Sequence, residues 1–248
     1  MKTKNTNICA SKILSSKRWK FMSLFMTILM LTTIIINLQS VNVQATVSRI
    51  WVNSQPISQY QTYTYTGSVN NYYYTVTVIA ECDPKTTLNG SSLSLNGSGY
   101  STKGSASISK TNDGKTRITQ TFTLESGYQY TLILNSFNPN GSRNDTATIR
   151  IQNKMEVLKA WCSEYNRGIY NYHRATIRTN CRIRESNVQC DEFKKGGEWV
   201  RTSKGLTGSI NEYMVEYRHT ITTHGSMSVR IIATSYGGLS IPSANIML

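Results

Sequence analysis

Two apolar patterns divide this chain. From Phe21 to Leu38 (FMSLFMTILMLTTIIINL) nearly every position is apolar and no period is visible. From Thr46 onward apolar and polar residues alternate, and no helical period of useful length appears;. The first pattern follows a basic head (Lys2, Lys4, Lys12, Lys17, Arg18, Lys20) without an acidic residue, and ends in Val43-Gln44-Ala45. A positive head, an apolar centre and an A-x-A-like site predict a secretory signal peptide over residues 1–45. The competing reading is an uncleaved anchor, since about 18 apolar residues can just span a bilayer. The small residues at the cleavage site and the polar turn after it favour cleavage. The expected product is secreted and extracellular, touching a membrane only through the signal segment, and the long basic head suits a Gram-positive exporter.

The second pattern predicts strands. Asn89-Gly90, Asn96-Gly97, Asp113-Gly114 and Asn140-Gly141 punctuate the alternation at intervals that suit tight turns between strands of five to eight residues;. An internal repeat then appears. Val47-x-Arg49-x-Trp51 returns as Val157-x-Lys159-x-Trp161, and the run from Tyr72 to Cys82 returns from Tyr172 to Cys181. Ser101-Thr102-Lys103-Gly104 returns at 202–205, and Gly127 to Ser136 returns from Gly225 to Thr234. Four pairs in one order, about 98 to 110 residues apart, predict a duplicated unit. The fold expected is all-β: two tandem immunoglobulin-like β-sandwich modules, 46–153 and 154–248, after the signal peptide. In size the modules resemble the broad class of bacterial immunoglobulin-like domains. Neither half carries the Cys…Trp…Cys pattern, nor a tyrosine corner ahead of a second Cys;.

Alternation assigns faces. Val76, Val78, Ala80 and Cys82 share a core face, as do Ala175, Ile177, Thr179, Cys181 and Ile183. The opposite face of the second strand carries Arg174, Arg178, Arg182 and Arg184, a row about 30 Å long. A hairpin tip at Glu185-Ser186 would set Cys181 opposite Cys190, close enough for a disulfide. Free buried thiols or a bridge to Cys162 are the alternatives. Trp51 and Trp161 are expected as core anchors, and Tyr72 and Tyr74 fall on the core side.

Charge narrows the partners. The six basic residues of the signal leave with it, so 21 Lys/Arg face 13 Asp/Glu in the mature chain, a net +8. That excess suits anionic wall polymers, acidic glycans or a cell-surface protein rather than nucleic acid. Arginine forks match carboxylate, sulfate and phosphate oxygens, so the arginine row, extended by Lys194 and Lys195, is the candidate binding site. The bland alternative is a charged strand face that discourages aggregation. No catalytic residue, cofactor or metal is expected. His173, His219 and His224 sit in no motif, G-x-S-x-G is missing, and the C-x2-C spacing of common zinc sites is missing too;. The N-x-S/T sites at Asn89, Asn96, Asn140 and Asn144 are expected as turn chemistry;. No sorting motif is seen after Ile241. The function expected is non-enzymatic binding or adhesion through the basic strand face. Docking of a partner at a strand edge is the alternative, and a small secreted toxin or hydrolase the third option.

Overall fold

The structure is a computed structural model that describes residues 47–222 and 224–248; the expected signal peptide lies outside them. No helix among the described residues is long and apolar enough to cross a membrane. The first half contains β1 (Val47–Val52), β2 (Gln55–Pro56), β3 (Thr62–Tyr65), β4 (Tyr73–Cys82), β5 (Leu93–Asn96), β6 (Ser101–Lys103), β7 (Ser107–Lys110), β8 (Thr116–Glu125), β9 (Tyr130–Phe137) and β10 (Arg143–Asn153). One sheet runs β2-β1-β4-β8-β6 with β7 also on β8, and the facing sheet runs β3-β10-β9-β5. The second half contains β11 (Val157–Arg167), β12 (Tyr170–Thr179), β13 (Gln189–Lys195), β14 (Val200–Leu206), β15 (Glu212–Thr220), β16 (Ser226–Thr234) and β17 (Ser240–Met247). Its sheets are β11-β12-β15-β14 and β13-β16-β17.

This is an immunoglobulin-like arrangement in both halves. Four strands of one sheet oppose three of the other in the order that defines the constant-type sandwich. The first half adds β3, which runs parallel to β10. Each half buries its own apolar cluster, one from Ile50 to Ile151 and the other from Met155 to Ile246.

The alternation holds where it was expected. Val76, Val78, Ala80, Cys82, Ala175, Ile177, Cys181 and Ile183 are all buried. The two halves share an irregularity: β1 bulges after Val47 against β4, and β11 bulges after Val157 against β12. One repeat pair is out of step. Matching Gly127 to Gly225 would set Leu132 against Arg230, yet the buried positions of β16 are Met227, Val229, Ile231 and Ala233. A one-residue slip exchanges the two faces of a strand.

Two tryptophans also differ from expectation. Trp51 and Trp161 are half-buried on outer faces, because the inward phase belongs to Ile50 and Val52 in β1 and to Ala160 and Cys162 in β11. A tyrosine corner does exist, without a cysteine after it. The buried Tyr130 at the start of β9 accepts a hydrogen bond from the Glu125 amide at 3.0 Å, and its hydroxyl lies 2.9 Å from the Tyr100 carbonyl oxygen.

The halves meet at a small buried polar joint. Asn153 Oδ1 accepts from the Gly127 amide at 3.0 Å, and Asn153 Nδ2 donates to Ser126 Oγ at 2.8 Å. Ser235 Oγ of the second half donates to the Gly127 carbonyl oxygen at 2.6 Å. Tyr72, expected in the core, instead adopts φ +68° in the turn before β4 and donates its hydroxyl to Asn211 Oδ1 at 3.3 Å.

Tyr130→Phe removes only the corner hydroxyl; the Glu125 amide keeps its second acceptor, the Tyr100 carbonyl oxygen at 3.0 Å. We expect about 0.5–1.5 kcal/mol lower stability in urea unfolding, with the midpoint lowered and the slope unchanged; an unchanged midpoint contradicts this account of the corner.

Candidate binding face

The outer face of the β11-β12-β15-β14 sheet carries the best candidate site. Antiparallel register builds it in rows. Lys159, Arg178 and Glu212 lie in one row; Trp161, Thr176 and Met214 follow. Ser163, Arg174 and Glu216 come next, then Tyr165, Tyr172 and Arg218, and finally Arg167, Tyr170 and Thr220. At about 3.3 Å per residue the five rows extend about 26 Å along the strands.

Electrostatics fixes these side chains in place. Arg178 pairs with Glu212 at 2.6 Å, and Arg174 donates to Glu216 Oε2 at 2.9 Å. Tyr165 donates its hydroxyl to the same Glu216 oxygen at 2.9 Å and stacks on Tyr172, with centroids 4.9 Å apart and planes 9° from parallel. Lys159 and Arg178 both lie over Trp161, at 4.9 and 5.8 Å, while Arg218 lies over Tyr170 at 4.5 Å. Such cation–ring contacts are modest individually but hold a ring and a charge in fixed relation. Lys159, Arg167 and Arg218 form no ion pair among the described residues, so the face keeps a positive excess over its two acids.

Of the six basic residues expected to act together, only Arg174 and Arg178 share this face. β12 ends at Thr179, and the chain then turns toward the other sheet through an isolated bridge between Ile183 and Ser235. Arg182 consequently pairs with Glu125 of the first sandwich at 3.2 Å, and Arg184 is exposed beyond the bridge. Lys194 and Lys195 lie on β13, an edge strand of the opposite sheet, where Lys194 Nζ donates to the Trp199 carbonyl oxygen at 3.0 Å.

The expected hairpin is corrected for the same reason. Residues 185–187 form one 3-10 turn, and β13 crosses to pair with β16, so Cys190 stands opposite Ile231 rather than Cys181. Cys82, Cys162, Cys181 and Cys190 are all free thiols, and burial pushes the Cys181 thiol up to about 12. The sequence reading also missed Tyr165, Tyr170, Tyr172 and Arg218 as partners of the arginines. Their shared parity across β11, β12 and β15 was the available signal. The asparagines at 89 and 140 behave as expected, each accepting from the amide and hydroxyl of the serine two residues on;.

No family model matches the chain, and no curated protein matches it. Solved structures similar to it include a titin immunoglobulin tandem (12% identity, 81% of this chain and 94% of that one, TM-score 0.30). The Yersinia pseudotuberculosis adhesin InvE is similar at 11% identity and TM-score 0.32, over 75% of this chain; the match spans about half of that structure, 55%. The sialic acid binding region of a Streptococcus sanguinis adhesin is similar at 9% identity and TM-score 0.25, over 81% of this chain and 77% of that one.

Glu216 holds the face together, and its titration reports on it. Desolvation raises its pKa, but hydrogen bonds from Thr202, Tyr165 and Arg174 outweigh this and hold the carboxyl below the usual range. A lowered folded-state pKa contributes stability above the unfolded value, about 4.3, that is lost as pH falls through the folded value. Glu216→Gln is therefore expected to cost about 1–3 kcal/mol at pH 7, and its deficit against the parent to shrink below about pH 4. Urea titrations at stepped pH check this; a constant deficit at every pH contradicts it.

Proposed function

We propose that this chain is a secreted, non-enzymatic binding protein of adhesive type, and that the outer face of the β11-β12-β15-β14 sheet engages an anionic glycan or wall polymer. The observation that carries the reading is the interleaving of rings and cations on one exposed sheet face. Trp161 and the stacked Tyr165–Tyr172 pair offer flat apolar surface for sugar rings;. Arg174 and Arg178 spend part of each fork on Glu216 and Glu212 and keep donors to spare for an anion;. Because the acids already hold those arginines, less side-chain entropy is lost on binding. The predicted export signal supplies the extracellular setting.

A second reading rests on β11 itself. It is an eleven-residue edge strand, largely exposed, and a partner strand could add to it;.

Retention on matrices bearing dextran sulfate or poly(glycerol phosphate) separates the two. The parent protein should be retained at low salt, and its affinity should fall about tenfold or more as salt rises through the physiological range. The double variant Lys159→Ser/Arg218→Ser removes two cations without stranding an acid, so retention should drop while the melting temperature stays. Trp161→Ala should weaken retention at all salt concentrations. If neither variant changes retention, the polymer reading is retired, and a salt-insensitive partner lost on a Pro substitution in β11 establishes the edge reading instead.

A further inference from the structure

The opposite, inner face of the same sheet holds a cluster that the glycan reading does not use. Cys162 and Glu164 lie two apart on β11 and so point to one side. Register sets Cys162 opposite Ala175 and Glu164 opposite His173 on β12. The Cys162 thiol, a Glu164 carboxylate oxygen and a His173 ring nitrogen lie within 4.8 Å of one another. Three strands on in sequence and paired directly with β12, His219 of β15 stacks against His173 at 5.0 Å between centroids, and the buried Trp199 packs on both rings at 5.1 and 4.5 Å.

We propose that Cys162 Sγ, a Glu164 carboxylate oxygen and His173 Nδ1 form a binding site for a divalent transition-metal ion of the zinc type, with a fourth coordination position left to water.

The proton bookkeeping of the two histidines supports this. His219 Nδ1 lies 2.7 Å from the Thr220 carbonyl oxygen, which can only accept, so that nitrogen carries its proton;. In the neutral ring Nε2 is then bare, and it accepts from His173 Nε2 at 2.9 Å. His173 is thereby fixed as the tautomer whose Nδ1 lone pair faces the thiol and the carboxylate. His173 is only 8% exposed, yet its Nδ1 has no hydrogen-bond partner among the described residues. Glu164 Oε1 lies 3.2 Å away, but a carboxylate only accepts and so cannot satisfy a bare ring nitrogen;. The Cys162 thiol donates to the Ser163 carbonyl oxygen instead, so carboxylate and imidazole lone pairs meet at one spot and a buried nitrogen is left unsatisfied. A cation there resolves both faults. The second ring nitrogen hydrogen-bonded to an outer partner is also the usual way a metal-ligating histidine is oriented.

The donor set narrows the ion. Thiolate and imidazole suit zinc and its neighbours, while magnesium and calcium demand oxygen ligands. Three protein ligands plus water is the open zinc geometry, with bonds of about 2.0–2.3 Å. Glu164, whose side chain is 64% exposed, is free to swing inward and close the set. On binding, the Cys162 thiol proton leaves to solvent as the sulfur–metal bond forms.

The test titrates the purified protein, reduced and metal-free, with Co2+ as an optical stand-in for Zn2+. We expect one Co2+ per chain, with a near-ultraviolet thiolate charge-transfer band displaced by Zn2+ but not by Mg2+ or Ca2+. Cys162→Ser should abolish the band, and Glu164→Gln should weaken binding about tenfold or more. Both positions lie on an edge strand, and unchanged melting of the metal-free variants confirms their fold. Cys190→Ser, another partly exposed thiol, should leave the band intact. Absence of a band in the parent, its persistence in Cys162→Ser, or its loss in Cys190→Ser overturns the proposal; the first outcome leaves Glu164 and His173 as an ordinary ion pair.

Discussion

The structure depends on a close backbone approach at Gly127. This glycine has φ +91°, and a side-chain carbon there would sit 2.9 Å from Ser235 Cβ and 3.0 Å from Cys181 Cβ. Both objections act together: a left-handed backbone strains any other L residue, and the space is already filled. The approach is needed because the joint is polar. Ser126 and Ser235 are fully buried and Asn153 nearly so, and each must find its partner among a few backbone groups;. Asn180 continues the pattern, accepting from the Glu156 amide and donating to the Lys154 carbonyl oxygen. The segment between the sandwiches is thus held at both ends by asparagines. Arg182 is drawn into the same region by Glu125, and that removes it from the arginine row.

Alternation then decides what each face of the second sheet can carry. Inward positions of β12 and β15 are apolar over Ala175, Ile177, Tyr213, Val215 and Tyr217, and become polar at Thr179 and toward His173 and His219. Outward positions are free of packing demands, so rings and charges accumulate there. Glu216 and Glu212 would be costly if left buried without partners, and the arginines opposite them answer that cost;. A charge pair that begins as compensation for burial ends as an oriented donor array.

Much of this was legible. Parity along Tyr73–Cys82 and Tyr170–Thr179 assigns core and surface correctly, because the period of two is a property of the strand itself. What parity cannot do is carry past a turn. Glu185-Ser186-Asn187 suits a hairpin tip and a crossover equally well, and the difference lies in whether β13 finds β12 or β16, a matter of long-range packing. The disulfide expectation and half of the arginine row failed at that one point. The tyrosine corner was hidden for another reason. The cysteine that usually marks it is missing, while one of the hydroxyl's partners, Tyr100, comes from 30 residues away.

Comparison of the two copies explains why the thiol–histidine cluster belongs to the second alone. Aligned on Cys82 and Cys181, His173 takes the place of Tyr74, which is buried and stacked on Tyr65 of β3 at 5.1 Å. In the first copy β1 ends at Val52, and the chain turns at Asn53-Ser54 into β2 of the same sheet and crosses to β3 of the facing sheet before reaching β4. Among the described residues the second copy has no counterpart of β3. Its first strand runs on from Cys162 to Arg167 and joins β12 directly across Gly168-Ile169. Losing the excursion removes the tyrosine that would cover this end of the core, and the strand extension brings Cys162 and Glu164 to the uncovered place. Plain apolar filling was open to the second copy there, as Val52 and Tyr74 show in the first. A thiol, a carboxylate and an imidazole aimed at one point are a poor substitute on packing grounds alone, and they gain a physical reason once a cation shares the space.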